Sequence, residues 1–443
     1  MTFQEKYDAT VIGGGPAGAT FATLLARQNR KVLLLEKEKF PRYHIGESLV
    51  TGVIPILEEI DVLDKVQAHG FIKKHGVTLV WGKHPEPWNF AFSESGPAGR
   101  EYGHTYQVVR SEFDNLLLRN AESKGVDVRE EHQVVNVLLE HNRCVGVKYR
   151  NSKGEEREAY SNYTIDASGQ GAFLGHYFNL LEYDSELKNV ATWAYFKDVE
   201  QYEGQLAGNI LTEHIPDGWI WVIPLHNGLT SIGWVTSSEK YKQLLDSSID
   251  STYERVLNSS VETRRRLYKA ERYSKKVYTT RDWSYQCKKF YGSGFLLTGD
   301  AAGFVDPLFS TGIFLALNSA SLGAKLLNKA LEEPEHEEKY LARYEVAYRK
   351  FIGEISSFVH YFYDASRDQE SYFRKAQDLI DRKLTAREEF VYLLSGLHGF
   401  DTAREEFGHL ISGLHGFHTI ANLDPGNLYE QSVAESKHSS VTS

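Results

Sequence analysis

Residues 9–12 (ATVI) form a short apolar run, and Gly13-Gly14-Gly15-Pro16-Ala17-Gly18 follows it directly. Residues 19–26 then carry a helical pattern, and a second apolar run, residues 31–35, ends in Glu36. Strand, glycine turn, helix, strand and acid in this order predict a βαβ unit that binds a dinucleotide. Gly13 allows the tight turn, Gly15 lets the backbone approach a pyrophosphate, and Gly18 lets helix and strand pack closely. Ala17 lies inside the same turn and is assigned to the cofactor with them. The helix start offers free N–H groups and the positive end of its dipole to phosphates. Glu36 stands where a carboxylate accepts ribose hydroxyls, and it would repel a 2′-phosphate.

A late Gly299-Asp300-Ala301-Ala302 follows the short run at 295–298 and is expected to open a helix. An Asp there suits the ribityl hydroxyls of a flavin, with the helix start toward the ring's pyrimidine edge. Arg110 begins a helix at about residue 111 and is placed within reach of the same cofactor. No second glycine fingerprint has its own βαβ unit, since Gly292-Ser293-Gly294 lacks the third glycine. One dinucleotide, FAD, is therefore expected, and reducing equivalents must come from a separate NAD(P)H-dependent flavin reductase.

The chain has 443 residues, 41% of them hydrophobic, enough for a large core with two or three structural units. A net charge of -10 argues against nucleic acid as a partner. Cys144 and Cys287 are far apart with no CxxC, and the histidines show no HxxxH or HExxH pair. No disulfide framework and no metal site are expected, which fits a reducing cytoplasm. The first strand begins too early for a signal peptide, and no apolar run reaches the ~20 residues that cross a bilayer.

Pattern reading predicts an α/β chain: a Rossmann-type FAD-binding domain, an inserted β-sheet substrate domain and a C-terminal helical region. The segments are 1–185 (FAD core with β insertions), 186–290 (mixed, substrate side), 291–335 (return to the core), 336–430 (helical) and 431–443 (a polar, disordered tail). Residues 76–109 read as strands. Residues 385–400 (TAREEFVYLLSGLHGF) recur at 402–417 (TAREEFGHLISGLHGF) with three differences. Two copies are too few for a solenoid, and a local duplication at the edge of the fold is expected.

Four further motifs resemble those of flavin-dependent halogenases. Residues 304–312, FVDPLFSTG, match the FxxPxxSxG pattern, and Trp219-Ile220-Trp221-Val222-Ile223-Pro224 matches WxWxIP. Residues 40–48, FPRYHIGES, match the flavin-edge loop, and residues 70–76, GFIKKHG, resemble the segment that carries the catalytic lysine. The resemblance runs from the N-terminus to about residue 370. It implies that reduced flavin, O2 and chloride or bromide yield hypohalous acid inside the protein. It implies Ser48, Arg110, Asp300 and Pro307 at the cofactor, and Ser310, Thr311 and Gly312 around the halide, held by backbone N–H groups at a helix start. It implies Lys74 as the residue that receives and aims the halogen, a buried lysine being able to carry a neutral amine. Trp219, Trp221 and Pro224 become the barrier between flavin and substrate. Phe309 stands where the tryptophan-halogenating branch carries a glutamate. That points to a phenol or pyrrole, free or tethered to a carrier protein. An aromatic hydroxylase or a geranylgeranyl-reductase-like enzyme shares the cofactor motifs and remains the alternative, one that would not need Lys74.

Overall fold

A computed structural model describes residues 6–399, apart from 85, 381 and 382. The strand Lys6–Ile12 lies in the middle of the first sheet, parallel to Val32–Leu35 on one side and Glu156–Asp166 on the other. Asp127–Arg129 and Phe295–Leu297 extend the parallel arrangement outward. Val32–Leu35 and Phe295–Leu297 are short, apolar and wholly buried, as strands of a parallel sheet covered on both faces are. The helices Pro16–Arg27 and Gly312–Glu332 pack together against the sheet. Gln133–Glu140 and Arg143–Arg150 form a hairpin, and Arg143–Arg150 pairs in turn with the outer half of Glu156–Asp166 through a turn at Asn151–Gly154.

The second sheet is antiparallel in most of its pairings. Leu181–Lys197 is its spine, with Tyr278–Cys287 on one side and Thr230–Ser237 on the other. Gly218–Pro224, Ile210–Ile215, Gly76–Val80 and Trp88–Ala91 follow in order. Gly76–Val80 thus belongs to this sheet although it precedes the spine by about a hundred residues.

Three expectations need correction. Residues 76–109 are not all strand: Phe92–Glu94 and Gly96–Glu101 are helical turns. The Glu94 carboxylate accepts the Ala91 N–H at 3.0 Å and starts the first of them. Gly299-Asp300 does not open an α-helix. It forms one 3-10 turn, Gly299–Ala301, because Gly303 and Phe304 return to pair with Tyr278–Cys287. The first repeat copy is not at the edge. Its helix Ala386–Ser395 starts with a Thr385/Glu388 capping box and buries Phe390 against Trp88, Phe358 and Phe373. Gly396 ends it in the left-handed region, and a Cβ there would lie 2.5 Å from the Phe314 ring. The second copy and the tail lie outside the described residues.

One buried ion pair links two helices beneath this core. Lys325 Nζ lies 2.6 Å from Glu59 Oε1, and Ser321 donates to the other oxygen at 2.8 Å. Removing one partner of a buried pair leaves the other charge unmatched. Glu59→Ala is expected to lower the unfolding free energy by about 3–5 kcal/mol in urea titrations. A loss below about 1 kcal/mol would show that the pair is not buried as described.

Candidate active site

A cavity of about 500 Å³ opens beyond the carboxyl ends of the parallel strands, where ligands of open α/β sheets bind. Gly13 stands at its floor with φ +102°, and a Cβ there would lie 2.5 Å from the Ala167 carbonyl oxygen. A Cβ on Gly18 would lie 1.9 Å from the Gly13 oxygen, so Gly18 allows packing and does not itself line the cavity. Gly15, Pro16 and Ala17 do line it, and their helix begins without a side-chain cap. Glu36 is fixed by two backbone donors, Gly14 N–H at 2.7 Å and Glu38 N–H at 2.8 Å. A glycine cradle, an uncapped helix start and an anchored acid suit the pyrophosphate and ribose of FAD.

Arg110 lines the cavity, but its guanidinium is largely engaged. Nε and Nη2 grip the Asp114 carboxylate at 2.8 and 3.0 Å, and Nη1 donates to the Ile45 carbonyl at 2.6 Å. Arg42 adds a third bond to Asp114 at 2.9 Å. Burial alone would raise the Asp114 pKa, yet the two guanidiniums hold it below the usual value. This cluster clamps the 40–48 loop to the helix Arg110–Ser123. Arg42 and Asp114 went unremarked in the sequence, although Arg110 and Asp114 stand four residues apart on one helical face.

Asp300 faces the cavity, and burial lifts its carboxyl to about 6. Glu47, also missed, is lifted to about 7 by burial against hydrogen bonds from Ser231 and Tyr195. It lies in the same loop as Ser48 and lines the same cavity.

On the far side, Pro307, Ser310 and Gly312 line the cavity. Ser310 adopts φ +60°, which turns the chain into the helix Gly312–Glu332. Thr311 caps that helix by position, but its side chain makes no capping bond, and it lies behind the wall rather than in it. A Cβ on Gly312 would meet nothing within 4 Å, so the space beside this helix start is open.

Trp219 and Trp221 share one face of their strand, as alternation requires. Both line the cavity, with ring centroids 6.0 Å apart. Trp219 Nε1 donates to the Tyr363 hydroxyl at 2.9 Å, and that hydroxyl donates to buried Asp306 at 2.8 Å. Trp221 Nε1 donates to Ser231 at 3.1 Å, and its ring occupies the room that a side chain at Gly233 would need. Pro224 is different: it pairs with Thr230 at the strand's far end and does not reach the cavity. Phe358 and Phe362 are core residues, and Phe309 packs between them at 5.3 and 4.9 Å.

Lys74 is fully buried, while its neighbour Lys73 faces solvent. Its Nζ donates to Ser48 Oγ and to the Leu49 carbonyl, both at 2.8 Å, and lies 5.4 Å from the Phe92 ring centre. Burial pulls its pKa down to about 7. Lys74 does not line the flavin cavity. Ser48 does, so one side chain separates the amine from the cavity.

The family model described as tryptophan halogenase matches residues 8–102 and 97–417. A tryptophan 2-halogenase of Chondromyces crocatus is 35% identical over 387 residues, covering 87% of this chain and 73% of that protein. A chlorinase of Pseudomonas fluorescens that acts on 1H-pyrrole-2-carbonyl groups on a peptidyl carrier protein is 32% identical over 384 residues, 81% of this chain and 84% of that one. Among solved structures, the myxobacterial chondrochloren halogenase superposes with a TM-score of 0.77 at 37% identity, covering 96% and 97% of the two chains. The hydroxylase or reductase alternative is not favoured by these relatives. The chain belongs to the family of flavin-dependent halogenases, enzymes that use FAD with O2 and a halide.

Proposed function

We propose that this halogenase transfers chloride or bromide, as an electrophile, to an electron-rich aromatic ring through Lys74, with reduced flavin delivered by a separate NAD(P)H-dependent reductase. Reduced FAD, when bound, supplies the electron pair with which O2 oxidises halide to hypohalous acid. The uncapped N–H of Gly312 at the helix start, beside Ser310, holds the halide, with Thr311 shaping the turn from behind. Gly13, Gly15, Ala17, Glu36, Asp300 and Pro307 hold the cofactor. Trp219 and Trp221 keep organic substrate out of the cavity.

Lys74 then takes the halogen. Its neutral amine forms an N–halogen bond as the oxygen–halogen bond breaks, and the amine proton leaves with hydroxide as water. The observation that carries this reading is the Lys74–Ser48 bond, which sets the amine one hydroxyl away from the cavity. A pKa near 7 supplies the neutral amine at ordinary pH.

Phe309 supports a phenol or a carrier-tethered pyrrole, because no carboxylate stands there to accept a ring proton. A phenol activates its own ring by losing its proton. The tryptophan 2-halogenase of Chondromyces crocatus favours a second reading, free tryptophan. The free, buried Cys144 and Cys287 support a reducing, cytoplasmic setting. Among the described residues no helix is long and apolar enough to cross a membrane.

The test supplies FAD, a flavin reductase, NADH, O2 and bromide, with a phenol panel, a carrier-bound pyrrole and tryptophan followed by mass spectrometry. Brominated phenol or pyrrole is the expected product. Bromotryptophan alone would favour the second reading, and hydroxylated product without bromination would overturn both.

A further inference from the structure

Three residues from distant parts of the chain converge at one point away from the flavin cavity. His69 ends the helix Leu63–His69, and Glu112 stands in the first turn of Arg110–Ser123. His226 lies in the turn between Gly218–Pro224 and Thr230–Ser237. His69 Nε2 is 2.5 Å and His226 Nε2 3.1 Å from the same oxygen, Glu112 Oε2. One ligand atom from each residue lies within 4.8 Å of the others. Histidine spacing hid the group, because no two of its members are near in sequence.

We propose that His69, Glu112 and His226 form a binding site for a divalent transition metal of the zinc class, with water as the fourth ligand. Two imidazoles and a carboxylate are a ligand set that suits such ions. Metal–ligand bonds of about 2.1 Å place tetrahedral ligand atoms roughly 3.4 Å apart, so the imidazoles withdraw from the carboxylate by less than about 1 Å and close on each other by at most about 1.4 Å. Packing fixes both rings: Phe71 lies 4.3 Å from the His69 ring and 5.2 Å from the His226 ring. Partial exposure of all three side chains leaves room for the water.

His226 Nδ1 is buried and has no hydrogen-bond partner. Beyond ring packing, the Nε2 contact is therefore the polar contact that directs the ring. Lacking an acceptor behind it, this histidine is a weaker ligand than those of structural zinc sites. A bound ion ties the helix that carries Arg110 to the hairpin that follows Trp219 and Trp221. It thus staples the cofactor sheet to the second sheet.

Metal-stripped holoenzyme is titrated with Co2+ at pH 7.5, followed by ligand-field absorption to the red of the flavin bands and by thermal melting. Intense bands of tetrahedral or five-coordinate cobalt are expected, saturating at equimolar metal and lost on adding Zn2+. Half-saturation on the order of micromolar follows from the missing support behind His226. Zn2+ raises the melting temperature of wild type. His226→Ala and Glu112→Gln, with unchanged circular dichroism, lose the bands and the zinc shift, binding at least about tenfold more weakly. His141→Ala, a turn residue elsewhere, keeps both. Weak hexaaqua-like absorption in wild type, or equal binding by His226→Ala, overturns the proposal and marks the group as an ion-paired cluster only. No arm reads halogenation, so the family assignment stands either way.

Discussion

Lys74→Met is expected to fold, bind FAD and consume reduced flavin like wild type, yet to halogenate at about one-thousandth of the rate or less. The thioether keeps the volume of the buried lysine stem, but hypohalous acid oxidises it to a sulfoxide with release of halide, so it passes no halogen on to a substrate. Titration with FAD and melting curves check the folding arm, and product mass spectrometry checks the activity arm. Lys74→Arg is also inactive but much less stable, because a guanidinium cannot lose its charge and the described residues around Nζ offer a hydroxyl, a carbonyl and a ring but no carboxylate.

The pH dependence follows from the same burial. Lys74 is held near 7 against its usual 10.5, so halogenation falls as pH drops through 7 and the amine is protonated. Glu47 also titrates near 7, so Glu47→Gln separates the two: it retains the acid limb if Lys74 is responsible. For stability the sign is the reverse of the usual lysine case. Between pH 7 and 10.5 the unfolded chain binds the proton that the folded lysine has lost. Wild type therefore gains stability relative to Lys74→Met across that window as pH rises. Below pH 7 both states are protonated and the difference is flat.

Gly18→Ala is expected to weaken flavin binding severely and to lower the yield of folded protein. The added methyl would sit 1.9 Å from the Gly13 carbonyl oxygen, a backbone atom that cannot move without opening the phosphate turn. The purified variant is expected to be colourless, with FAD affinity reduced by more than about 100-fold; a loss of 3 kcal/mol, a common cost of backbone strain, already gives that factor. Gly312→Ala is the contrasting case: its Cβ enters open space, so FAD binding persists while the room beside the helix start shrinks. Full FAD affinity in Gly18→Ala would mean the turn is looser than described.

The parallel core was legible because its signals are local. Glycines, a strand and an acid at fixed spacing determine a βαβ unit, and burial of whole strands leaves unbroken apolar runs such as residues 32–35. Motif order also located Trp219, Trp221 and the Ser310–Gly312 turn at one cavity. What escaped depends on contacts between distant segments. The place of Gly76–Val80 in the second sheet is decided by pairing with Ile210–Ile215. The Gly299–Ala301 turn stays short because Gly303 and Phe304 are drawn into another sheet. Pro224 belongs to the same motif as the tryptophans, yet a strand seven residues long carries its last member out of reach. Arg42, Asp114 and Glu47 look like ordinary loop and helix charges until burial changes what they do. The first repeat copy reads as surface helix by its charges, but Glu389 is buried and bonded to the Leu384 N–H, so a polar pattern hides a core element.

The account rests on halogen passing from the flavin cavity, past Ser48, to the Lys74 amine. The most direct measurement is a chase. Wild type and Lys74→Met are mixed with reduced flavin, O2 and bromide without organic substrate, then separated rapidly from small molecules in the presence of a thioether scavenger. A phenol is added afterward. The account predicts brominated phenol from wild type, in amounts not exceeding the enzyme, and none from Lys74→Met. Equal product from both proteins, or none from a wild type that brominates the same phenol in steady state, would contradict it.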